Sequence, residues 1–347
     1  MRSGLLAELS AVIDLRARDR SRLVELLARD DRELIGLLGG RRREALARAH
    51  RQGRLTDRCA RASAICVHSR RFPRRLRARG APRLLYTEGD GALLGEGDRL
   101  PAVAILGASR PSEYGLEIAR SLSYSLVSSG VLVVTLNAQG IARAARIGAE
   151  RAGRGAVVLN AGGLDAAGAI HGAAADGRTR GRSCLVSELP PGCPGRRWGV
   201  LAAERTAVAL SDVLLVVEAK SARLFAVELA RAGNVQIAAV PGRATSPLAQ
   251  GPLELLADGG ALVCCAGDVL KLLGRAEGPP APSVRDDGLP AGLGRVLERV
   301  GSGQETPEQL LDGGDRAHTL LALAQLELMG RVRRTGDGRY FVTVSVP

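Results

Sequence analysis

Apolar residues follow two rhythms along this chain. Between about residues 100 and 273, short apolar runs without alternation at 103–106, 132–136, 156–159, 184–186, 213–217, 237–240 and 261–264 read as strands. Amphipathic stretches at 114–129, 141–152, 202–209 and 222–232 fall between them and read as helices. Strands with no polar face, separated by helices, indicate an α/β fold with a parallel sheet covered on both sides. Ligands of such a sheet bind beyond the carboxyl ends of its strands. The loops at 107–113, 136–142, 160–165, 187–197, 219–223 and 241–251 are therefore predicted to surround one mouth.

The flanks have the helical rhythm. Leu5, Leu6, Leu9, Val12 and Ile13, then Leu23, Leu26 and Leu27, then Leu34, Ile35, Leu37 and Leu38 keep helical spacing, so residues 1–66 read as a head of short helices. Gly39-Gly40 stops the third helix, and a further one starts at Arg41. Residues 275–288 have the composition of a linker. Past it, Leu293, Val296 and Leu297 begin a helix, Thr306-Pro307-Glu308 opens a second, and residues 316–329 form a third. Gly336-Asp337-Gly338 between two apolar-basic segments signals a hairpin. Three helices and a ribbon predict a winged-helix domain. The chain is thus read as a head (1–66), a core (67–274), a linker (275–288) and a winged helix (289–347).

Charge is uneven. The net charge is +13 over 347 residues, and residues 1–83, with 22 arginines against 9 acids, hold all of it. A basic head on a neutral core suggests a polyanion partner, the alternative being solvated arginine faces. Arg41-Arg42-Arg43 with Arg48, Arg51 and Arg54 is the best phosphate patch of the head. Aromatic residues make up only 2%, so a grip on nucleic acid would be mainly electrostatic. The cysteines at 59, 66, 184, 193, 264 and 265 form no CxxC pair, which argues against a zinc centre or a secreted disulfide framework. No apolar run approaches the ~18 residues of a membrane span and no signal peptide is visible, so a cytoplasmic protein is expected.

The central stretch is Val103 to Gly115, a strand ending at Gly107, a polar loop, and a helix start. Backbone amides converge on an anion in that geometry. The loop is neither GxGxxG nor a Walker loop, so no cofactor is implied. His171 is the only histidine between residues 100 and 273 and has no G-x-S-x-G elbow nearby. Asp165, Glu188 and Glu218 are the carboxylates at strand ends that acid–base or magnesium chemistry could use.

Gly107-Ala108-Ser109-Arg110-Pro111-Ser112 with Tyr114-Gly115 resembles the opening loop of the DNA-processing protein A (DprA/Smf) family. Further pieces of its pattern follow in order: Phe72-Pro73 with Leu76, Pro82 and Leu85-Tyr86 before the loop, then Ala138-Gln139-Gly140-Ile141, Ser187-Glu188-Leu189-Pro190-Pro191-Gly192, Val216-Val217-Glu218-Ala219, Val240-Pro241-Gly242 and Asp258-Gly259. The resemblance covers about residues 70–270. It implies an extended Rossmann-like core that binds single-stranded DNA without catalysis, protects incoming DNA in natural transformation, helps load the RecA recombinase and forms a homodimer.

The polar lining departs from the family. Ser109 stands at the family's arginine, with Arg110 one place later, and Arg146 stands at a histidine position. The residues expected to hold DNA are Gly107, Ser109, Arg110, Ser112, Gln139, Gly140, Arg143, Arg146 and Arg205. In one reading displaced arginines re-make the phosphate site. In the other the pocket is eroded and the chain is a nucleotide sensor or adaptor. A related Rossmann-like nucleotide hydrolase is a third alternative, but its Pro-Gly-Gly-x-Gly-Thr loop is echoed only by Gly162-Gly163-Leu164-Asp165.

Overall fold

Val103, Ala104 and Ile105 have no exposed surface, and the strand they form, β3 (Ala102–Leu106), is an interior strand of the nine-stranded sheet. The computed structural model describes residues 29–52, 63–78, 84–96, 98–164, 182–191, 193–275, 291–301, 306–311, 316–329, 331–334 and 338–342, together with Leu5, Glu8, Leu9, Val12, Ile13, Glu25, Leu26 and Pro82. Two units divide at Pro279 and Pro280. Much of the expected linker, and Arg54, Asp165, His171 and Gly192, lie outside the described residues.

In the first unit, helices α1 (Asp31–Leu38) and α2 (Arg43–Arg51) precede β1 (Ser63–Cys66), α3 (Arg74–Ala78), β2 (Leu84–Gly89) and α4 (Ala92–Glu96). After β3 come α5 (Glu113–Ser128), β4 (Leu132–Leu136), α6 (Ile141–Arg151), β5 (Val157–Leu159) and β6 (Cys184–Ser187). Then follow α7 (Arg197–Leu210), β7 (Val213–Val216), α8 (Phe225–Ala232), β8 (Gln236–Ala239), α9 (Gln250–Ala257), β9 (Ala261–Leu262) and α10 (Ala266–Leu272).

The sheet has nine strands in the order β1-β2-β6-β5-β4-β3-β7-β8-β9. From β6 to β9 every pairing is parallel, as the apolar runs require. At one edge β2 pairs with β6, and β1 with β2, antiparallel, so the sheet is mixed rather than wholly parallel. Ser63–Cys66, expected to be helical, is one of these added strands.

Alternation along β3 divides the core. Val103 and Ile105 pack with Leu122, Leu126, Val133 and Ala145 on one face, and Ala104 and Leu106 pack with Leu214, Val216 and Ala226 on the other. Each valine, leucine or isoleucine side chain buried this way contributes about 1.5–3 kcal/mol. Helix α7 starts at Arg197, earlier than expected, because Trp198 is drawn into a cluster with Leu189, Leu34, Ile35 and Leu46. Helix α8 starts later than expected. The Ala222 amide donates to the Glu254 carboxylate at 2.9 Å and holds the preceding residues in a turn.

The second unit holds α11 (Ala291–Gly301), α12 (Pro307–Leu311), α13 (Arg316–Leu328) and the strands β10 (Val332–Arg334) and β11 (Tyr340–Val342). The strands pair antiparallel, with Val332 opposite Val342. Leu297, Leu310, Leu323 and Leu326 form its core. Among the described residues no helix is long and apolar enough to cross a membrane.

Candidate nucleic-acid interface

The strand order reverses beside β3. Strands β4, β5 and β6 follow on one side, and β7, β8 and β9 lie on the other. A crevice forms at the carboxyl ends of strands where such a reversal occurs. Two loops meet there, 107–112 after β3 and 217–224 after β7.

Ser112 caps α5, its Oγ accepting the Gly115 amide at 3.1 Å. The Ser112 amide and hydroxyl both donate to the Glu218 carboxylate, at 2.8 and 2.6 Å. Glu218 is 6% exposed and lies so close to α5 that a Cβ on Gly115 would fall 2.4 Å from its Oε2. Glycine at 115 is what lets the carboxylate in. A negative charge at a helix amino terminus is favourable, and here Glu218 supplies it. The anion expected on the inner side of this terminus is therefore the chain's own carboxylate. On the outer side of the loop Gly107, Ser109 and Arg110 are exposed.

The second loop locks onto the first. The Ile141 amide donates to the Ala108 carbonyl at 3.1 Å. Gly140 between them has φ 74°, and a Cβ there would fall 2.3 Å from the Ala108 oxygen, so no other residue fits. Gln139 is exposed next to it. The contacts continue along the sheet: Asn137 donates to Asn160 at 3.0 Å, Asn160 to the Gly162 and Gly163 carbonyls, and Ser187 to the Gly162 carbonyl at 2.6 Å. The strand-end loops after β3, β4, β5 and β6 are one hydrogen-bonded rim. On the other side Tyr114 donates to the Pro241 carbonyl at 3.1 Å, and burial raises its phenol pKa above the ordinary value.

Gly107, Ser109, Arg110, Ser112, Gln139 and Gly140 are thus brought together. Arg143 is half-buried on the first turn of α6. Arg146 is a correction to the expected ring of rim arginines, whereas Arg205 reaches the rim loop after β6 but is paired with a carboxylate there. Arg146 is 5% exposed, and its Nη1 donates to Glu150 at 2.9 Å. Glu150 also accepts from Ser183, before the start of β6, so the Arg146 head points away from the mouth. Arg205 donates to Glu188 at 2.6 Å, and Thr206 donates to the same carboxylate. Both arginines are tied to carboxylates because each lies on a helix face turned into the protein. Lys220, Arg223 and Arg243 are exposed on the loops after β7 and β8 and were not among the expected residues. Their signal was their position on loops that the pattern of strands already assigned to the mouth. Among the described residues no group of three or more His, Cys, Asp or Glu side chains could hold a metal ion.

Residues 63–274 match the family model described as DNA recombination-mediator protein A. The chain belongs to this family. A curated DprA-family relative, a DNA processing protein DprA of Mycobacterium tuberculosis, is 32% identical over 248 residues, covering 69% of this chain and 64% of the relative, so the chain spans just under two-thirds of that relative's length. Among solved structures, DprA from Streptococcus pneumoniae superposes with a TM-score of 0.58 at 24% identity, over 69% of this chain and 85% of that one. DNA processing protein A from Helicobacter pylori, described for its unique single-stranded DNA binding mode, superposes at 0.52 with 22% identity, over 63% and 98% of the two chains. The two structures share the DprA fold with this chain. The family match begins at β1 and ends at the last turn of the first unit, so the whole mixed sheet is the DprA-type core.

Proposed function

We propose that this chain is a binding protein, not an enzyme, that holds single-stranded DNA along the carboxyl edge of its parallel strands. The observation that carries this reading is the paired loops at 107–112 and 137–140, whose outward side exposes Gly107, Ser109, Arg110 and Gln139 while Glu218 closes the inward side. A phosphate approaching from outside meets small residues, backbone amides and a guanidinium, and charge-assisted contacts of that kind position a strand without reading its bases. Lys220, Arg223 and Arg243 add positive charge to the same edge. Membership of the recombination-mediator family and the single-stranded DNA binding described for the Helicobacter pylori protein support the reading. Protection of incoming DNA, delivery to RecA, homodimerisation through the core, a winged-helix role for the second unit and a cytoplasmic location belong to the same proposal.

The test is a fluorescence anisotropy titration with labelled oligodeoxythymidine and with a duplex, at about 50 and about 200 mM salt. The single strand is expected to bind more tightly than the duplex and to lose about tenfold or more in affinity at the higher salt. Arg110→Glu is expected to weaken that binding. Affinity indifferent to salt, or unchanged by Arg110→Glu, contradicts the proposal.

A further inference from the structure

The head is built onto the rim. Helix α7 runs from the carboxyl end of β6 back towards the start of β7, so its first turn lies at the mouth. Trp198 in that turn is 2% exposed and is packed, with Leu189 of the strand-end loop, against Leu34, Leu38 and Leu46 of the head. Strand β6 is three positions from β3 in the sheet, about 14 Å at the usual strand spacing.

The head's own structure then fixes its charge. Asp30 and Glu33 form a reciprocal cap on α1, and His50 of α2 is 2.8 Å from Asp31 of α1, tying the two helices together. With Leu46 turned inward, Arg41, Arg43, Arg48 and Arg51 are left exposed. Glu44 is the one acidic residue of α2. Arg197, also exposed, is the first residue of α7, next to Trp198, which packs in the same cluster as the head's Leu34, Leu38 and Leu46.

We infer that α2, with Arg41 two residues before it, is a second phosphate-contact surface, and that a single strand held at the loops after β3 and β4 continues past the loop after β6 and Arg197 onto Arg41, Arg48 and Arg51. This rests on the DNA-binding reading above and extends it by giving the basic head a ligand, a path and a direction. A basic helix packed through Leu46 against Trp198 beside the mouth is an electrostatic continuation of it. With few aromatic side chains to stack bases, length of contact is the remaining source of affinity.

The experiment compares the full chain with the variant Arg41→Gln/Arg48→Gln/Arg51→Gln on two labelled oligodeoxythymidines, about 6 and about 20 nucleotides long, one within and one beyond the usual span of one binding surface. The long strand is expected to bind the variant about tenfold more weakly. Its log–log salt slope should fall by about 2, the loss of three single-strand phosphate contacts. Binding of the short strand should change by less than about twofold. Equal affinities for the long strand, or equal losses on both lengths, overturn the path onto α2 while leaving the crevice reading in place. Absence of binding by the unaltered chain on both lengths overturns the two together. The thermal transition reports whether the triple variant folds, and Arg48→Glu alone carries the same comparison with a single change. An acidic protein as the true occupant of α2 would appear as an unchanged long-strand affinity.

Discussion

Ser112 gives both its amide and its hydroxyl hydrogen to Glu218, 106 residues further along the chain, and so joins the start of α5 to the end of β7. This contact bridges the two halves of the sheet at the place where their order reverses. It also decides which side of the loop a ligand can use, because the inward side already holds a carboxylate. Ser112→Ala removes the cap and one of the two bonds to Glu218. The expected cost is about 1–2 kcal/mol, read as a lower urea midpoint. An unchanged midpoint would mean that the two halves are joined by other contacts.

Arg146 and Glu150 are a buried pair with side chains 7% and 3% exposed. Arg146→Met strands the carboxylate and is expected to cost about 3–5 kcal/mol, whereas Arg146→Met/Glu150→Leu recovers most of that loss. Single-stranded DNA affinity of the double variant should equal that of the unaltered chain, since Arg146 is not on the rim. A large loss of affinity in a folded double variant would return Arg146 to the binding surface.

Asp268 shows how the far edge of the sheet responds to acid. Its carboxylate accepts the Cys264 and Cys265 amides at 2.8 and 3.0 Å. The Cys264 bond is the main reason its pKa lies below the ordinary value; burial pushes the other way and the Cys265 bond adds to the lowering. A depressed folded pKa contributes stability that is complete above the unfolded value and is lost as pH falls through the folded one. Asp268→Asn should therefore lower the melting temperature at pH 7, and the gap to the unaltered chain should close below about pH 4. A gap that persists at low pH would show that charge is not what Asp268 contributes.

Much of the fold is legible in the chain. Val103–Leu106 announces a buried strand, and six further apolar runs announce the other parallel strands, so the parallel part of the sheet follows from the apolar pattern. Strands β1 and β2 are not legible this way. They are the two antiparallel strands at one end of the sheet, and Thr87 and Glu88 interrupt the apolar pattern of β2. The site divides along similar lines. Gly107, Ser112 and Gly140 are recognisable because backbone geometry at a strand-to-helix turn restricts residue type. Arg146 misleads, although its spacing of four from Glu150 is visible, because Ala142, Ala145, Ala149 and Ile141 bury α6 on nearly every side and leave no outward face for it. Arg205 misleads for a different reason. Its partner Glu188 is 17 residues away on another element, and only the folded chain brings them to 2.6 Å.

Hydrogen–deuterium exchange with and without oligodeoxythymidine tests the location of the DNA most directly. Addition of the oligonucleotide is expected to slow exchange in peptides spanning 107–112 and 137–140, with no change around Glu150 and Ser183 at the other end of the strands. Protection confined to segments away from the strand-end loops, with 107–112 and 137–140 unaffected, would contradict the site.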